Sequence, residues 1–477
     1  MAATGEKARF RRFVRRWGIL LGVCLALGVL AALDRHLKRA DRPIGFHPAD
    51  AACVAVSADF PSFCARLAAS DAAERFMSET PRPFEAFELA VRKATGVRPT
   101  PLRWSVWLGP RLVWSRWNHT QGICVHPGLL LRLAHSLRVL GGARPNAGGL
   151  YSFAGQFYAW RDRFLIISPA PEYVRAALEA SPLDAASFDG SDRLCMRWAG
   201  GTVQISPEPN IPVTGMLNTT LTPADDGLLL KDDWPETALF SLTTHSLADA
   251  SDICRIARRP LENNSIYNCL APLTGAVRDR WALESPAENW PTHVAECSLA
   301  LMDVDTAGTV PIPEWGAMLR RASSAGVSGH PWKPVIAPLA PVDYAWNGRE
   351  GAIATLLGEK FAICLAEDGD RWLATSRQDL MNDLLATERA GARINADAAL
   401  QINWDAVGRA AEKILRKAGE LQLVPEMNAQ EVDVYLGKYA RSIARLGRLR
   451  IVAHVRHDGV AFEGTLVSPL EEVPARP

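Results

Sequence analysis

The sequence predicts an α+β protein: an N-terminal transmembrane helix followed by two tandem copies of a mixed, largely antiparallel sheet-and-helix domain. Three observations predict it. An uncharged apolar run lies near the start, and the stretch "DRFLIIS" at Asp162 recurs as "DRWLATS" at Asp370. Hairpin patterns and helical patterns are segregated, with no alternating βαβ series.

The elements follow in order. Residues 1–45 read as a basic cytoplasmic tail, a span and a juxtamembrane segment. The run Trp17–Leu33, "WGILLGVCLALGVLAAL", holds no charge over 17 residues. At 1.5 Å per helical residue it reaches about 25 Å, the short end of a membrane span. Residues 1–42 carry ten Lys/Arg and three Asp/Glu, a net +7. Six of these cations precede the run and four follow it, which orients the N-terminus inward and the body outward. The expected location is the inner membrane with an extracytoplasmic body. Secretion after cleavage near Val29-Leu30-Ala31 is the alternative.

The body divides into repeat one at 46–234, repeat two at 235–472 and a tail at 473–477. Five matches in the same order support this division. "CVAVSADFPSFCARLA" resembles "LFSLTTHSLADASDICRIA", a strand entering a helix. Thr120, Gly122, Pro127 and Leu133 align without a gap on Thr306, Gly308, Pro313 and Leu319. The Asp162 and Asp370 stretches follow, each reading as turn, strand and helix cap. "LCMRW" parallels "LQINW", and "MLNTTLTPADDGLLL" parallels "RIVAHVRHDGVAFEG", with turns at Asp226-Gly227 and Asp458-Gly459. Repeat two adds "VGRAAEKILRKAGEL" and "AQEVDVYLGKYARSIARLG", whose apolar residues recur at three and four as in amphipathic helices.

Ser168, followed by Pro169, reads as a helix cap, and Ser376 with Asp379 as an approximate capping box. Gly109-Pro110 reads as a turn flanked by Trp104, Trp107, Trp114 and Trp117. A sugar-stacking or membrane-interface platform is the functional reading of these tryptophans. Their spacing of three denies them a common strand face and favours packing.

Motifs for chemistry are sparse. In "DVDTAGTVPIPE" Asp303, Asp305, Gly308 and Glu314 sit at positions one, three, six and twelve of a calcium loop. Ala307 takes a ligand position, and Pro311 and Pro313 obstruct the following helix, so no metal is expected. No nucleophile elbow, HExxH or phosphate-binding glycine loop occurs, and no catalytic residue or cofactor is expected. His454 and His457 flank the closing hairpin and read as surface residues. Asp225-Asp226 and Asp232-Asp233 read as solvated charge. Outside residues 1–42 the chain sums to 1 − 7 = −6, which argues against nucleic acid as a partner. Nine cysteines without CxxC spacing leave disulfides open.

The stretch "GEKFAICLAEDGDRWLATSRQDLMNDLLA" resembles a group of uncharacterised bacterial envelope proteins, a domain-of-unknown-function family. The likeness rests on Gly358, Phe361 to Leu365, Leu373 to Ser376 and the helix after them, and more weakly on Gly155 to Ser168. It implies one N-terminal span and a duplicated α+β body, and it supplies no catalytic residue. The expected function is a non-enzymatic envelope binding or scaffold protein. The alternatives are a carrier of an apolar ligand in a cleft between the repeats and a hydrolase whose site is assembled from unlinked carboxylates.

Overall fold

The computed structural model describes residues 44–79, 108–146, 148–153, 155–183, 193–208, 210–219, 221, 228, 234, 237–258, 294–308, 311–321, 333–356, 361–386, 394–424 and 428–467. The expected fold class is corrected. Among the described residues a nineteen-stranded antiparallel sheet with few helices stands in place of the expected mixed sheet-and-helix domains and transmembrane helix. Strand pairing takes up more chain than the alternation suggested: one hairpin alone uses strands of 12 and 10 residues. Among the described residues no helix is long and apolar enough to cross a membrane. The Trp17–Leu33 run, expected to span one, lies outside them.

The chain divides into two compact units, Met1–Ala65 with Glu85–Met196, and Arg66–Phe84 with Arg197–Pro477. The first contains β1 (Cys53–Ser57), β2 (Leu108–Trp117), β3 (Thr120–Pro127), β4 (Tyr151–Phe153), β5 (Gln156–Arg161), β6 (Phe164–Ser168) and the start of β7 (Leu194–Trp198). Their pairing order is β4-β5-β6-β3-β2-β1-β7. Asp162 turns the β5–β6 hairpin at φ 52°, a conformation Asp tolerates, and Arg161 then faces Phe164. Gly109-Pro110 is no turn. It lies inside β2 at a register shift between Leu108 and Leu112, with space for no Cβ, since one on Gly109 would meet the His126 carbonyl at 2.6 Å.

Helix Pro171–Glu179 closes the core of this unit. Its Tyr173, Val174 and Ala177 are buried with Phe46, Val113 and Ile166. Arg161 donates to the helix-end carbonyls of Leu178 and Ala180 at 2.5 and 2.6 Å and lies 4.2 Å over Phe46. Tyr173 hydrogen-bonds Ser115 Oγ at 2.5 Å, and burial pushes its phenol from 10.0 up to about 12. A raised pKa means that the folded state holds this proton more tightly than the unfolded chain. Its contribution is therefore full below pH 10 and is lost as pH rises toward 12. Urea midpoints measured across that window should fall less steeply for Tyr173→Phe than for the parent. An unchanged slope would remove Tyr173 from the alkaline response.

The second unit contains β8 (Gly201–Ile205), β9 (Val213–Leu217), β10 (Phe240–Thr244), β11 (Val294–Asp305), β12 (Ile312–Arg321), β13 (Val342–Trp346), β14 (Arg349–Leu356), β15 (Phe361–Asp368), β16 (Arg371–Thr375), β17 (Ala398–Asn403), β18 (Arg448–Arg456) and β19 (Gly459–Val467). The pairings run β13-β14-β15-β16-β12-β11-β10-β17-β18-β19-β9-β8, all antiparallel. The succession β5-β6-β3-β2-β1-β7 of the first unit has the same order as β15-β16-β12-β11-β10-β17 here. Helix Gln378–Ala386 buries Met381, Leu384 and Leu385 against Met318, Cys364 and Leu373 on one sheet face. Helix Trp404–Glu420 starts at a well-made cap, Asn403 Oδ1 accepting from Asp405 N and Ala406 N. Helix Asp71–Glu79 also belongs to this unit and lies against helix Lys438–Ala444.

Candidate functional site

Ser168 and Ser376 cap no helix. Both stand at the end of a strand, and their hydroxyls reach across to the neighbouring strand. Ser168 Oγ donates to Gln121 O at 2.8 Å, and Ser376 Oγ accepts from Trp315 N at 2.9 Å. The helices begin later, at Pro171 and Gln378, so Pro171 and not Pro169 takes the first helical position. Asp379 binds Arg377 instead of closing a capping box.

The calcium-loop residues lie on the β11–β12 hairpin. Asp303 faces Glu314 directly. Each carboxylate already has a partner: Lys413 Nζ lies 2.6 Å from Asp303 Oδ2, Ala307 N donates to Asp305 Oδ1 at 2.8 Å, and Arg377 pairs with Glu314. Among the described residues no group of three His, Cys, Asp or Glu is arranged to hold a metal ion.

The fold also joins two carboxylates remote in sequence, Glu314 and Asp379, through the same Arg377. Its hydrogen bonds hold the Asp379 carboxyl below the usual carboxylate range. A general acid needs the opposite shift, so this cluster serves as an ion-pair link between β12 and helix Gln378–Ala386. Cys53, Cys64, Cys124 and Cys364 are free thiols. Burial pushes Cys124 and Cys364 up to about 12, which suppresses the thiolate a nucleophile requires. Trp104, Trp107, Asp225, Asp226, Asp232 and Asp233 lie outside the described residues.

A different feature emerges from the registers of β17, β18, β19, β9 and β8. Directly opposed residues share a sheet face. One row reads Gln401, Arg450, Thr465, and the next Ala399, Val452, Glu463, Thr214, Gln204. A third reads His454, Ala461, Met216, Thr202. Arg450, Thr465, Glu463 and Thr214 are exposed, and the remainder of these rows are half-buried. The opposite face carries Ala398, Ala453 and Val460 buried with Leu217, Phe462 and Ile253 of helix Leu247–Arg258. One face is thus mainly polar and partly exposed, with Ala399, Val452, Ala461 and Met216 interspersed, while the other is apolar and packed. The outward face presents a fixed array of donors and acceptors across five strands, with Arg448, Arg450 and Arg456 along β18.

Sequence reasoning singled out His454 on this face but not its neighbours. The alternation Arg448, Arg450, Val452, His454, Arg456 is legible in the sequence, but the rows across strands require the registers. Comparison with protein families, with curated proteins and with solved structures finds no match for the chain.

Proposed function

We propose that the chain is a non-enzymatic binding or scaffold protein of the bacterial envelope, of the kind its resemblance implies. The observation that carries this reading is the open polar face of β17-β18-β19-β9-β8. A preformed face costs little ordering on association, and a mixed array of Arg, Glu, Gln and Thr suits a broad protein surface with matching polar groups. The Arg448, Arg450 and Arg456 row gives that face a positive bias, so the partner surface is expected to be net acidic.

A photo-crosslinking residue placed at Thr465, in native envelopes, tests the proposal. The expected result is a discrete protein adduct whose yield falls about tenfold in Arg450→Glu, equivalent to 1.4 kcal/mol, with the melting temperature unchanged. No adduct at Thr465, or an adduct insensitive to Arg450→Glu, would overturn the assignment of this face.

A further inference from the structure

Residues 89–161 contain ten Lys/Arg and not one Asp or Glu, although the whole chain balances 53 Lys/Arg against 52 Asp/Glu. The total charge of +1 conceals this segment. Inside it lies helix Leu129–Leu140, "LLLRLAHSLRVL". This helix covers the sheet face that carries Val125, Tyr158 and Leu165, against which Leu131 packs.

The helix is weakly secured. Gly128 stands at its N-cap with no side-chain hydrogen bond, and its first turn holds no acid. Leu133, Leu137 and Leu140 are exposed on the outer side and contribute little to docking. Two polar residues, His135 and Arg138, therefore carry part of the inner contact. Arg138 donates to Tyr158 Oη at 3.0 Å and to Ser152 O at 3.3 Å, and its guanidinium lies 4.2 Å over the Phe153 ring. The His135 ring lies 5.0 Å from Tyr151, 5.0 Å from Trp160 and 5.9 Å from Tyr158.

This setting suits a neutral imidazole. His135 Nδ1 is buried without a hydrogen-bond partner. In the neutral ring one nitrogen is a bare acceptor, and an apolar surround tolerates it there. A proton on Nδ1 would create a buried donor with no acceptor and add a charge. The titratable and charged groups around the ring are Arg132 and Arg138 on its own helix, Tyr151 from β4 and Tyr158 from β5, none of them a carboxylate. β3 and β6 contribute Val125 and Leu165, which carry no charge. The first acid after the segment, Asp162, is exposed in the β5–β6 turn beside Arg163. The ring faces that could shelter a cation are already taken: Tyr151 and Tyr158 stack on each other at 5.3 Å, and Arg138 lies 5.9 Å from the Tyr158 ring centre. Burial, and after it the Arg138 charge, hold the imidazole below its ordinary value of 6.5.

We propose that His135 is an acid-operated latch: the neutral ring holds helix Leu129–Leu140 on the sheet, and its protonation releases the helix while the rest of the unit stays folded. The core of the unit lies on the other sheet face, where helix Pro171–Glu179 buries Tyr173, Val174 and Ala177. Release of the outer helix leaves that core covered. A ring that holds its proton more weakly docked than released favours docking fully above pH 6.5, and the preference is lost as pH falls below it. The latch is independent of the polar face in the second unit.

Hydrogen exchange of the full chain tests the latch at about pH 7.5 and about pH 5.5, on either side of the ordinary imidazole value, with intrinsic exchange rates divided out. Protection of the amides of Arg132–Leu140 should fall about threefold or more on acidification, while that of helix Pro171–Glu179 changes less than about twofold. In His135→Phe, which keeps a planar ring and has no proton to gain, the fall should vanish. His135→Gln is a second non-titrating variant for the case that the first does not fold, and it too should show no fall. A fall that persists in the non-titrating variant, no fall in the parent, or an equal fall in both helices overturns the proposal.

Discussion

Gly122→Ala is expected to destabilise the first unit by about 3 kcal/mol or more, the upper end of the cost of overpacking. Gly122 lies on β3, and a Cβ there would sit 2.2 Å from Tyr173 Cε1. No carbon atoms approach so closely, so the Tyr173 ring must move. It has nowhere to go: it is fully buried, and its hydroxyl is tied to Ser115. Displacement would break that bond and lift helix Pro171–Glu179 from the sheet. At about 2–4 °C per kcal/mol for a unit of this size, thermal melting should fall by roughly 6–12 °C. The double variant Gly122→Ala, Tyr173→Leu should recover part of the loss, because the smaller side chain vacates the space. Additive effects, or a single variant that melts like the parent, would show that the ring does not set the requirement for glycine.

The parts legible in the sequence are those fixed by local chemistry. Asp162-Arg163 forms a turn because Asp accepts positive φ. "EDGD" turns through Gly369 at φ 62°, and Asp368 then faces Arg371. The ends of β6 and β16 fall at Ser168 and Thr375, next to the paired serines. What depends on pairing was not legible. Thr120–Leu133 aligns with Thr306–Leu319 at an offset of 186. In the structure Ile123 faces Ile167 while Gly316 faces Thr375, and Ile167 and Thr375 are 208 apart, like Asp162 and Asp370. The equivalent offset on β3 and β12 is therefore 316 − 123 = 193, so the ungapped match is displaced by seven residues. Register is set by contacts between strands, and four shared residue types within one stretch do not encode it. The serine hydroxyls illustrate the same limit. A Ser before a helix pattern reads as a cap, yet both reach sideways to a strand distant in sequence. The acid-free segment 89–161 was legible by local counting, but whole-chain charge hides it.

Trp346→Ala is expected to cost about 3–5 kcal/mol, the range for removing a large buried aromatic. Trp346 ends β13 and is fully buried among Met318, Cys364, Ala366 and Met381. Its ring fills the space above Gly351, where a Cβ would come within 2.6 Å of Trp346 Cδ1, and its Nε1 donates to Leu365 O at 2.9 Å. Truncation opens a cavity and removes a partner from a buried carbonyl, two penalties that add. Trp346→Phe retains most of the ring and loses chiefly the hydrogen bond, so its expected cost is nearer 1 kcal/mol. Denaturant midpoints of the two variants separate packing from hydrogen bonding, and equal losses would contradict the cavity account. The same pair also tests whether core and binding face are distinct. Along the pairing order of the second unit, β13 is nine strands from β19, about 40 Å at the usual strand spacing. Under conditions where Trp346→Phe remains folded, the adduct formed from Thr465 should therefore keep its parent yield. A yield that follows Trp346 would mean that the polar face depends on the packing of the far edge, and the rigid preformed surface would have to be abandoned.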